Sequence, residues 1–362
     1  MSDKSNLLID IKDLRVEFDV RAGVVKAVDG LNFDIRRGQT MGVIGESGCG
    51  KSMTARAILQ MVPKPGKITN GSIEYYRPIM KDGTVEKVDV VVINKLDPDG
   101  EIIRQIRGGE IGMIFQEPMS SLTPVYTAGT HIVEAVSLHR LTPVKKIGDQ
   151  MVENLQAHRK LTKQEAREMA IDMLQKVGIP KPAQRVDSYP HELSGGQRQR
   201  VMVAVALSCQ PFMLIADEPT TALDVSIEAQ ILDLMRGLQE SVGMAIMFIT
   251  HNLGVIAEMA EEITVMYMGK QVERAKTVDL FYAAKHPYTQ ALLKSIPKVG
   301  KKTSERLASI EGMVPDPFNL PPGCVYHPRC PSYMPGKCDR IAPTTQKVGE
   351  DHMVSCLLYE EV

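Results

Sequence analysis

None of the 362 residues is tryptophan and only seven are phenylalanine, so the apolar volume must come from aliphatic side chains and 21 methionines. Methionine at helical spacing reads as core filling, its flexible thioether adapting to irregular gaps, and not as a ligand-binding stripe. Net charge is missing as well, because 43 Lys and Arg stand against 44 Asp and Glu to leave a formal −1. Such a balance gives no global electrostatic drive toward nucleic acid or an anionic membrane surface. Nowhere do about 18 apolar residues run together, as a spanning helix requires. The opening stretch mixes Asp3, Lys4, Asp10 and Lys12 with its apolar residues. A secretion signal is therefore not expected, and a cytoplasmic location is.

Cysteine is scarce except at one end. Cys49 and Cys209 stand alone, whereas Cys324, Cys330, Cys338 and Cys356 crowd the tail. In a reducing compartment such clustering points to a metal or cluster site rather than a disulfide frame. Proline gathers in the same place, at Pro315, Pro317, Pro321, Pro322, Pro328, Pro331, Pro335 and Pro343. That density excludes long helices and central strands. The tail is expected to be irregular and to be held by its cysteines instead of a backbone ladder.

The length suggests two or three domains at roughly 100 to 200 residues each. Leu8–Val16, Lys26–Ile35 and Thr40–Ile44 read as strands, followed by a helix from Lys51 to Met61 that Pro63 and Pro65 stop. Ser72–Met80 and Thr84–Ile93 read as a hairpin around Asp82-Gly83. Between about Gly129 and Gly178 the period becomes helical, with a strong segment from Lys163 to Val177 opened by Thr162 and closed by Gly178. From Gln197 onward a helix to Ser208, a strand Phe212–Ala216, a helix Val225–Val242, a strand Ala245–Thr250 and a helix Asn252–Ala260 alternate. Alternation of this kind implies a mostly parallel α/β sheet.

Gly45-Glu46-Ser47-Gly48-Cys49-Gly50-Lys51-Ser52 fits G-x-x-x-x-G-K-[ST] and stands between a strand and a helix, where a phosphate loop must. Its glycines let backbone N–H groups curl around phosphate oxygens, and the helix N-terminus adds positive potential. Gly45, Ser47, Gly48, Cys49, Gly50, Lys51, Ser52 and Met53 are the expected nucleotide-binding residues, with Lys51 on the terminal phosphates and Ser52 on Mg²⁺. Cys49, beside Lys51 at a helix start, is expected to have a lowered thiol pKa, although it also reads simply as a small residue at a variable position. Phe212-Met-Leu-Ile-Ala-Asp217-Glu218 reads as a buried strand ending in two carboxylates. Asp217 would hold Mg²⁺ through water and Glu218 would polarise the attacking water, since phosphoryl transfer needs alignment and charge neutralisation.

Leu193-Ser194-Gly195-Gly196-Gln197 stands immediately before a helix. Here the sequence resembles the ATP-binding-cassette ATPases, whose LSGGQ signature it matches without substitution, over about residues 8–275. The resemblance implies an α/β P-loop nucleoside triphosphatase core with an antiparallel β lobe, a helical signature subdomain at about 129–195, and a Cys/Pro-rich C-terminal extension. On that basis 1–295 is expected to be the nucleotide-binding domain and 296–362 the extension. It further implies that Ser194, Gly195, Gly196 and Gln197 close over the γ-phosphate bound by another subunit, sandwiching ATP at a dimer interface. Gln116 would sense Mg²⁺ and the attacking water, Asp224 would belong to the inter-subunit loop, and His251 would contact the γ-phosphate. Phe18 is the candidate to stack on adenine, beside its plain reading as a core aromatic.

Phe115-Gln-Glu-Pro-Met-Ser-Ser-Leu-Thr-Pro-Val-Tyr126, Tyr189-Pro-His-Glu-Leu193 and His286-Pro-Tyr-Thr-Gln-Ala-Leu-Leu293 look like the oligopeptide and dipeptide importer ATPases. Gly323-Cys324-Val-Tyr-His-Pro-Arg-Cys330, with Cys338 and Cys356, resembles the cysteine-bearing extension of that subfamily, in which some members hold a [4Fe-4S] cluster. Four thiolates are the usual ligand count for that cluster. Zinc would accept the same set, so composition leaves iron, zinc and free thiols open, and the resemblance favours iron. His327 and His352 read as bystanders. The implied assembly has a second cassette subunit, identical or different, two membrane permeases and an extracellular solute-binding protein, with this chain peripheral on the cytoplasmic face. No nucleic-acid partner is expected.

The implied activity is ATP hydrolysis that powers uptake of di- or oligopeptides. Ser-Leu-Thr-Pro, where the family commonly has Ser-Leu-Asn-Pro, and extra residues near Tyr76–Ile93 and His139–Lys160 leave the cargo open to oligosaccharide or nickel. The competing class is a soluble cassette acting on ribosomes or DNA. Tandem cassettes or a coiled-coil insertion would mark it, and neither is present.

Overall fold

The computed structural model describes residues 6–81, 84–115, 145–220, 223–295 and 310–360. Its strands are β1 (Leu7–Val20), β2 (Gly23–Arg36), β3 (Thr40–Ile44), β4 (Gly66–Lys81), β5 (Thr84–Val92), β6 (Ile111–Ile114), β7 (Met213–Asp217), β8 (Ala245–Ile249), β9 (Glu262–Tyr267), β10 (Lys270–Lys276), β11 (Gln346–Lys347) and β12 (Met353–Val354). The α-helices are α1 (Lys51–Ile58), α2 (Glu101–Gln105), α3 (Ile147–His158), α4 (Lys163–Lys176), α5 (Pro182–Arg185), α6 (Gly195–Ser208), α7 (Val225–Val242), α8 (Leu253–Met259), α9 (Thr277–Ala283) and α10 (Pro287–Lys294). They fall into two compact units, one of Leu7–Ile35, Thr40–Asn94 and Ile249–Val362, the other of Met1–Asn6, Arg36–Gln39 and Lys95–Phe248.

The first of these units carries an antiparallel sheet in the order β2-β1-β4-β5. Its register pairs Ile9 with Tyr75 and Phe18 with Gly66. Leu8, Ile9, Ile11, Leu14 and Val16 of β1 are buried. The unit also holds the strand order β11-β12-β10-β9-β3, in which β3 runs parallel to β9 and β10 antiparallel to it. All five residues of β3 are buried, as expected of a parallel strand covered on both faces. The chain leaves β3 directly into the loop that precedes α1.

The second unit places β7 between β8 and β6, with β6 and β7 parallel and Ile111 opposite Met213. Every residue of β6, β7 and β8 is buried. Helix α4 starts at a capping box, in which the Thr162 hydroxyl accepts from the Glu165 N–H and the Glu165 carboxylate accepts from the Thr162 N–H. Gly178, at φ 71°, stands just past its end. Val152 and Leu155 of α3 and Ala166 of α4 form a buried cluster with Cys209. Residues 116–144 lie outside the described residues, and with them the first part of the expected 129–195 helical segment and Gln116. The expected turn at Asp82-Gly83 also lies outside them.

Helix α1 stops at Ile58, short of the expected Met61, because Gln60 adopts a left-handed φ of 50° and the Met61 N–H turns back to the Arg56 carbonyl at 2.8 Å. The tail is largely irregular, as expected, but it is not without a backbone ladder. Strand β12 pairs antiparallel with β10, Glu273 opposite Val354, and buried side chains described below fasten it further. Among the described residues no helix is long and apolar enough to cross a membrane.

Candidate nucleotide site

The phosphate loop emerges from β3 through two positions that only glycine can occupy. Gly45 has φ 152°, and a Cβ there would lie 2.2 Å from the Met266 carbonyl oxygen. Gly50 has φ 101°, and a Cβ would lie 2.2 Å from the Ala27 carbonyl oxygen. The loop is thus pressed against the backbone of neighbouring segments, and its remaining side, at Ser47 and Gly48, is exposed. Lys51 opens α1 and is 7% exposed. Its ammonium donates to the carbonyls of Gly45 at 2.7 Å and Glu46 at 3.0 Å. Ser52 and Met53 are half-buried in the first turn.

Cys49 corrects an expectation. Lys51 Nζ lies 3.7 Å from its sulfur and favours the thiolate, but the side chain is 2% exposed and burial pushes the thiol pKa up from its ordinary value. Removal of the thiolate from water outweighs one nearby cation. Phe18, opposite Gly66 across β1 and β4, is half-buried, and a Cβ on Gly66 would meet its ring at 2.5 Å. His251 is exposed just after β8, ahead of α8, whose first turn Asn252 caps through the N–H groups of Gly254 and Val255. The loop, Phe18 and His251 belong to the same compact unit.

The second unit holds the carboxylates and the signature. Asp217 ends β7 and is 2% exposed. Glu218 follows it with a left-handed φ of 51°, a conformation that a non-glycine residue keeps only when its surroundings enforce it. The enforcement comes from α6: the amide of Gln199, 1% exposed, donates to the carbonyls of Glu218, at 3.4 Å, and Pro219.

Ser194 is the N-cap of α6. Its hydroxyl accepts from the Gln197 N–H at 3.3 Å, while its own N–H donates to the Gln197 side chain at 3.2 Å. The LSGGQ run is therefore also a capping box, which leaves Ser194 and Gly195 exposed at a helix N-terminus. Asp224 caps α7 by accepting from the Ile227 N–H at 3.0 Å and the Ser226 hydroxyl at 2.9 Å. These bonds hold its carboxyl below the usual range. Thr221, Ala222 and Gln116 lie outside the described residues.

In the tail, Cys324, Cys338 and Cys356 are buried, Cys330 is half-buried, and all four are free thiols. The Cys324 N–H donates to the Cys338 carbonyl at 2.8 Å. Burial first, and then the fields of Cys324, Cys330 and Cys338, push the Cys356 thiol up to about 11. Among the described residues no three His, Cys, Asp or Glu side chains are arranged to hold a metal ion. Sequence reasoning missed Gln199, Tyr288 and Arg329. The signal for Gln199 was a lone amide ahead of an apolar helical run. For Arg329 it was a cation between two cysteines.

Two family models match the chain: that of the ABC transporter family over residues 28–221, and that of the oligopeptide/dipeptide transporter C-terminal region over residues 272–338. A putative peptide import ATP-binding protein of Brucella ovis is 44% identical over 361 residues, covering 98% of each chain. The oligopeptide transport ATP-binding protein AppD of Bacillus subtilis is 43% identical over 98% of this chain and 97% of its own. The dipeptide transport ATP-binding protein DppD of the same organism is 40% identical over 98% and 95%. Among solved structures, the ATP-binding cassette MJ0796, a dimer in a post-hydrolysis state bound to ADP and Pi, superposes with a TM-score of 0.59. It is 24% identical, with 75% of this chain and 99% of that one covered, a likeness that establishes the fold. On these matches the chain belongs to the ABC transporter family of ATP-binding proteins, in the branch whose members carry the oligopeptide/dipeptide transporter C-terminal region.

Proposed function

We propose that this chain is the ATP-hydrolysing subunit of an ABC importer of di- or oligopeptides, acting peripherally on the cytoplasmic face of a membrane. The assembly would contain a second cassette subunit, two permeases and an extracellular solute-binding protein, and no nucleic acid. The observation that carries the reading is the pairing of a glycine-locked phosphate loop with a second, solvent-facing helix N-terminus at Ser194–Gln197. A helix N-terminus of this kind suits a phosphate presented by a neighbouring subunit. The functional division runs near residue 295, with the cassette before it and the extension after it.

On ATP binding, Lys51 leaves the Gly45 and Glu46 carbonyls for the terminal phosphates, and the N–H groups from Gly48 to Ser52 hold the others. Ser52, Asp217 and Gln116 would hold Mg²⁺, which would supply charge neutralisation on the phosphates. Glu218 orients a water and takes its proton as oxygen attacks the γ-phosphorus, and the bond to the β-phosphate oxygen breaks to give ADP and phosphate. His251 and Gln116 steady the γ-phosphate and the water, Phe18 stacks on adenine, and Asp224 orders the loop between subunits. Closure drives a permease only by binding its two states unequally.

The four thiols of Cys324, Cys330, Cys338 and Cys356, buried or half-buried, match the ligand count of a [4Fe-4S] cluster. Zinc would accept the same four thiolates, and the likeness to the oligopeptide/dipeptide transporter C-terminal region is what favours iron. Such a cluster would supply a covalent staple to a proline-rich tail. Anaerobic purification should yield a brown protein with iron and sulfide that dithionite bleaches, whereas a colourless zinc protein would end the cluster proposal. For the whole reading, the chain reconstituted with its permeases should hydrolyse ATP faster when the peptide-loaded receptor is added. Stimulation by oligosaccharide or nickel alone would reassign the cargo.

A further inference from the structure

Glu46 puts a carboxylate inside a loop read as a binder of polyanions, and the C-terminal tail grips it. Arg329, between Cys324 and Cys330, sets its guanidinium against that carboxylate in a two-point pair, Nη1 to Oε2 at 2.7 Å and Nη2 to Oε1 at 3.1 Å. The Arg329 side chain is 3% exposed and that of Glu46 24%. The guanidinium is itself fixed from other sides. It donates to the Tyr267 hydroxyl at 3.3 Å and to the carbonyls of Glu311 at 3.1 Å and Ile310 at 3.4 Å, and it lies 5.9 Å from the centre of the Tyr267 ring.

The backbone of Glu46 is held by the same region. Its N–H donates to the Tyr288 hydroxyl at 2.8 Å. Tyr288 is fully buried and packs on Tyr267 and Tyr326, with ring centroids 4.7 and 5.3 Å away. Meanwhile the Glu46 carbonyl is one of the two carbonyl acceptors for the Lys51 ammonium. Lys51 is therefore tied to the Glu46 backbone, while Arg329 holds the Glu46 side chain. A carboxylate on Lys51 would compete with phosphate for it and would repel the incoming anion.

We propose that Arg329 is a positioning residue of the nucleotide site, holding the Glu46 carboxylate away from Lys51 so that the C-terminal tail sets the loop's affinity for a triphosphate. The inference rests on the reading of residues 45–52 as the phosphate loop. A partly buried, bidentate and oriented pair is of the kind that contributes measurably, unlike a pair between two exposed flexible side chains. It also has a sign that a packing role lacks, because the harm from losing Arg329 is done by Glu46 and should vanish when Glu46 is neutral.

The test is equilibrium binding of a non-hydrolysable ATP analogue with Mg²⁺ to the full-length wild type, R329Q, E46Q and the R329Q/E46Q double variant. R329Q should bind roughly tenfold more weakly, and the double variant should return to within about twofold of wild type. If R329Q binds like wild type, or if the double variant binds no better than R329Q, the proposal is overturned. Should R329Q not fold, R329K serves in its place: lysine cannot make the two-point pair, so binding should weaken by about threefold and recover with E46Q. Equal affinity of R329K with and without E46Q would overturn the proposal in the same way. Failure of the underlying reading looks different, since wild type and Lys51→Ala would then bind the analogue equally poorly.

Discussion

The carboxylate of Glu273, with no exposed surface, accepts a hydrogen bond from Nε2 of His352 at 2.7 Å. It also accepts the N–H groups of Lys285 at 2.6 Å and His286 at 2.9 Å. Glu273 lies on β10, the two backbone donors precede α10, and His352 precedes β12. One buried carboxylate thus fastens sheet, helix and tail at a single point. Glu273→Ala strands three donors in a dry site and is expected to remove about 3 kcal/mol of stability. The check is the thermal midpoint together with limited proteolysis, in which cleavage within 310–360 should come first. An unchanged midpoint and an intact tail would show that the ladder to β12 suffices without it.

A second expectation concerns acid. His286 is 1% exposed, and its Nδ1 accepts from the Tyr288 N–H at 3.0 Å, capping α10. An acceptor nitrogen must be unprotonated, and burial pushes the imidazole pKa down to about 3. The unfolded chain takes up a proton near the ordinary histidine value of about 6.5, which the folded chain refuses. Between these two values stability therefore rises with pH and is lost as pH falls, by at most about 1.4 kcal/mol per pH unit. His286→Asn retains a capping oxygen and cannot take up the proton. Its urea midpoint should fall less between about pH 6.5 and 4.5 than that of wild type. Parallel slopes for the two proteins would refute the neutral-imidazole account.

The double use of Ser194 separates stability from hydrolysis. Ser194→Ala removes the cap of α6 and should lower stability by about 1 kcal/mol, and Ser194→Asn should restore that cap without restoring hydrolysis. Gly195 has open space around it, with nothing within 4 Å of a Cβ. An aspartate there suits the first helical turn but repels a phosphate brought by a neighbouring subunit. Gly195→Asp is thus expected to melt no lower than wild type while its ATP hydrolysis falls more than about tenfold. Full hydrolysis by that variant would remove the helix N-terminus from the mechanism.

Local punctuation explains what could be read in advance. Strand β3 and helix α7 coincide with their expected bounds, Thr40–Ile44 and Val225–Val242, because a glycine-rich turn ends one and Asp224 and Gly243 bracket the other. Strand β10 gave no such signal. Lys-Gln-Val-Glu-Arg-Ala-Lys carries the polarity of a surface segment, and it enters a sheet interior only because Arg274 meets Glu262 and Asp34, each at 2.7 Å. Those partners are fixed by tertiary structure, as is the Arg329–Glu46 pair across 283 positions. Cys49 shows the same limit at shorter range: its neighbour in sequence argued for a reactive thiol, and its burial decided otherwise. Glycines, caps and motif spacing are local quantities, whereas desolvation and ion pairing depend on what the fold brings near.

Glu218 is where local motif and tertiary restraint meet. Its left-handed backbone aims a side chain from the end of β7, and Gln199 of the signature helix holds the peptide carbonyls on either side of Pro219's nitrogen. Glu218→Gln preserves size and those backbone bonds while removing the proton acceptor. ATP should still bind with near wild-type affinity, and hydrolysis should fall by a factor of about 10² to 10⁴, the range for loss of a general base. Gln199→Ala offers the complementary case, since it leaves the carboxylate but frees the loop, so kcat should drop with KM little changed. Measured side by side, normal turnover in Glu218→Gln with a slow Gln199→Ala would move the base elsewhere on this loop, because only positioning, and not this carboxylate, would then govern the rate.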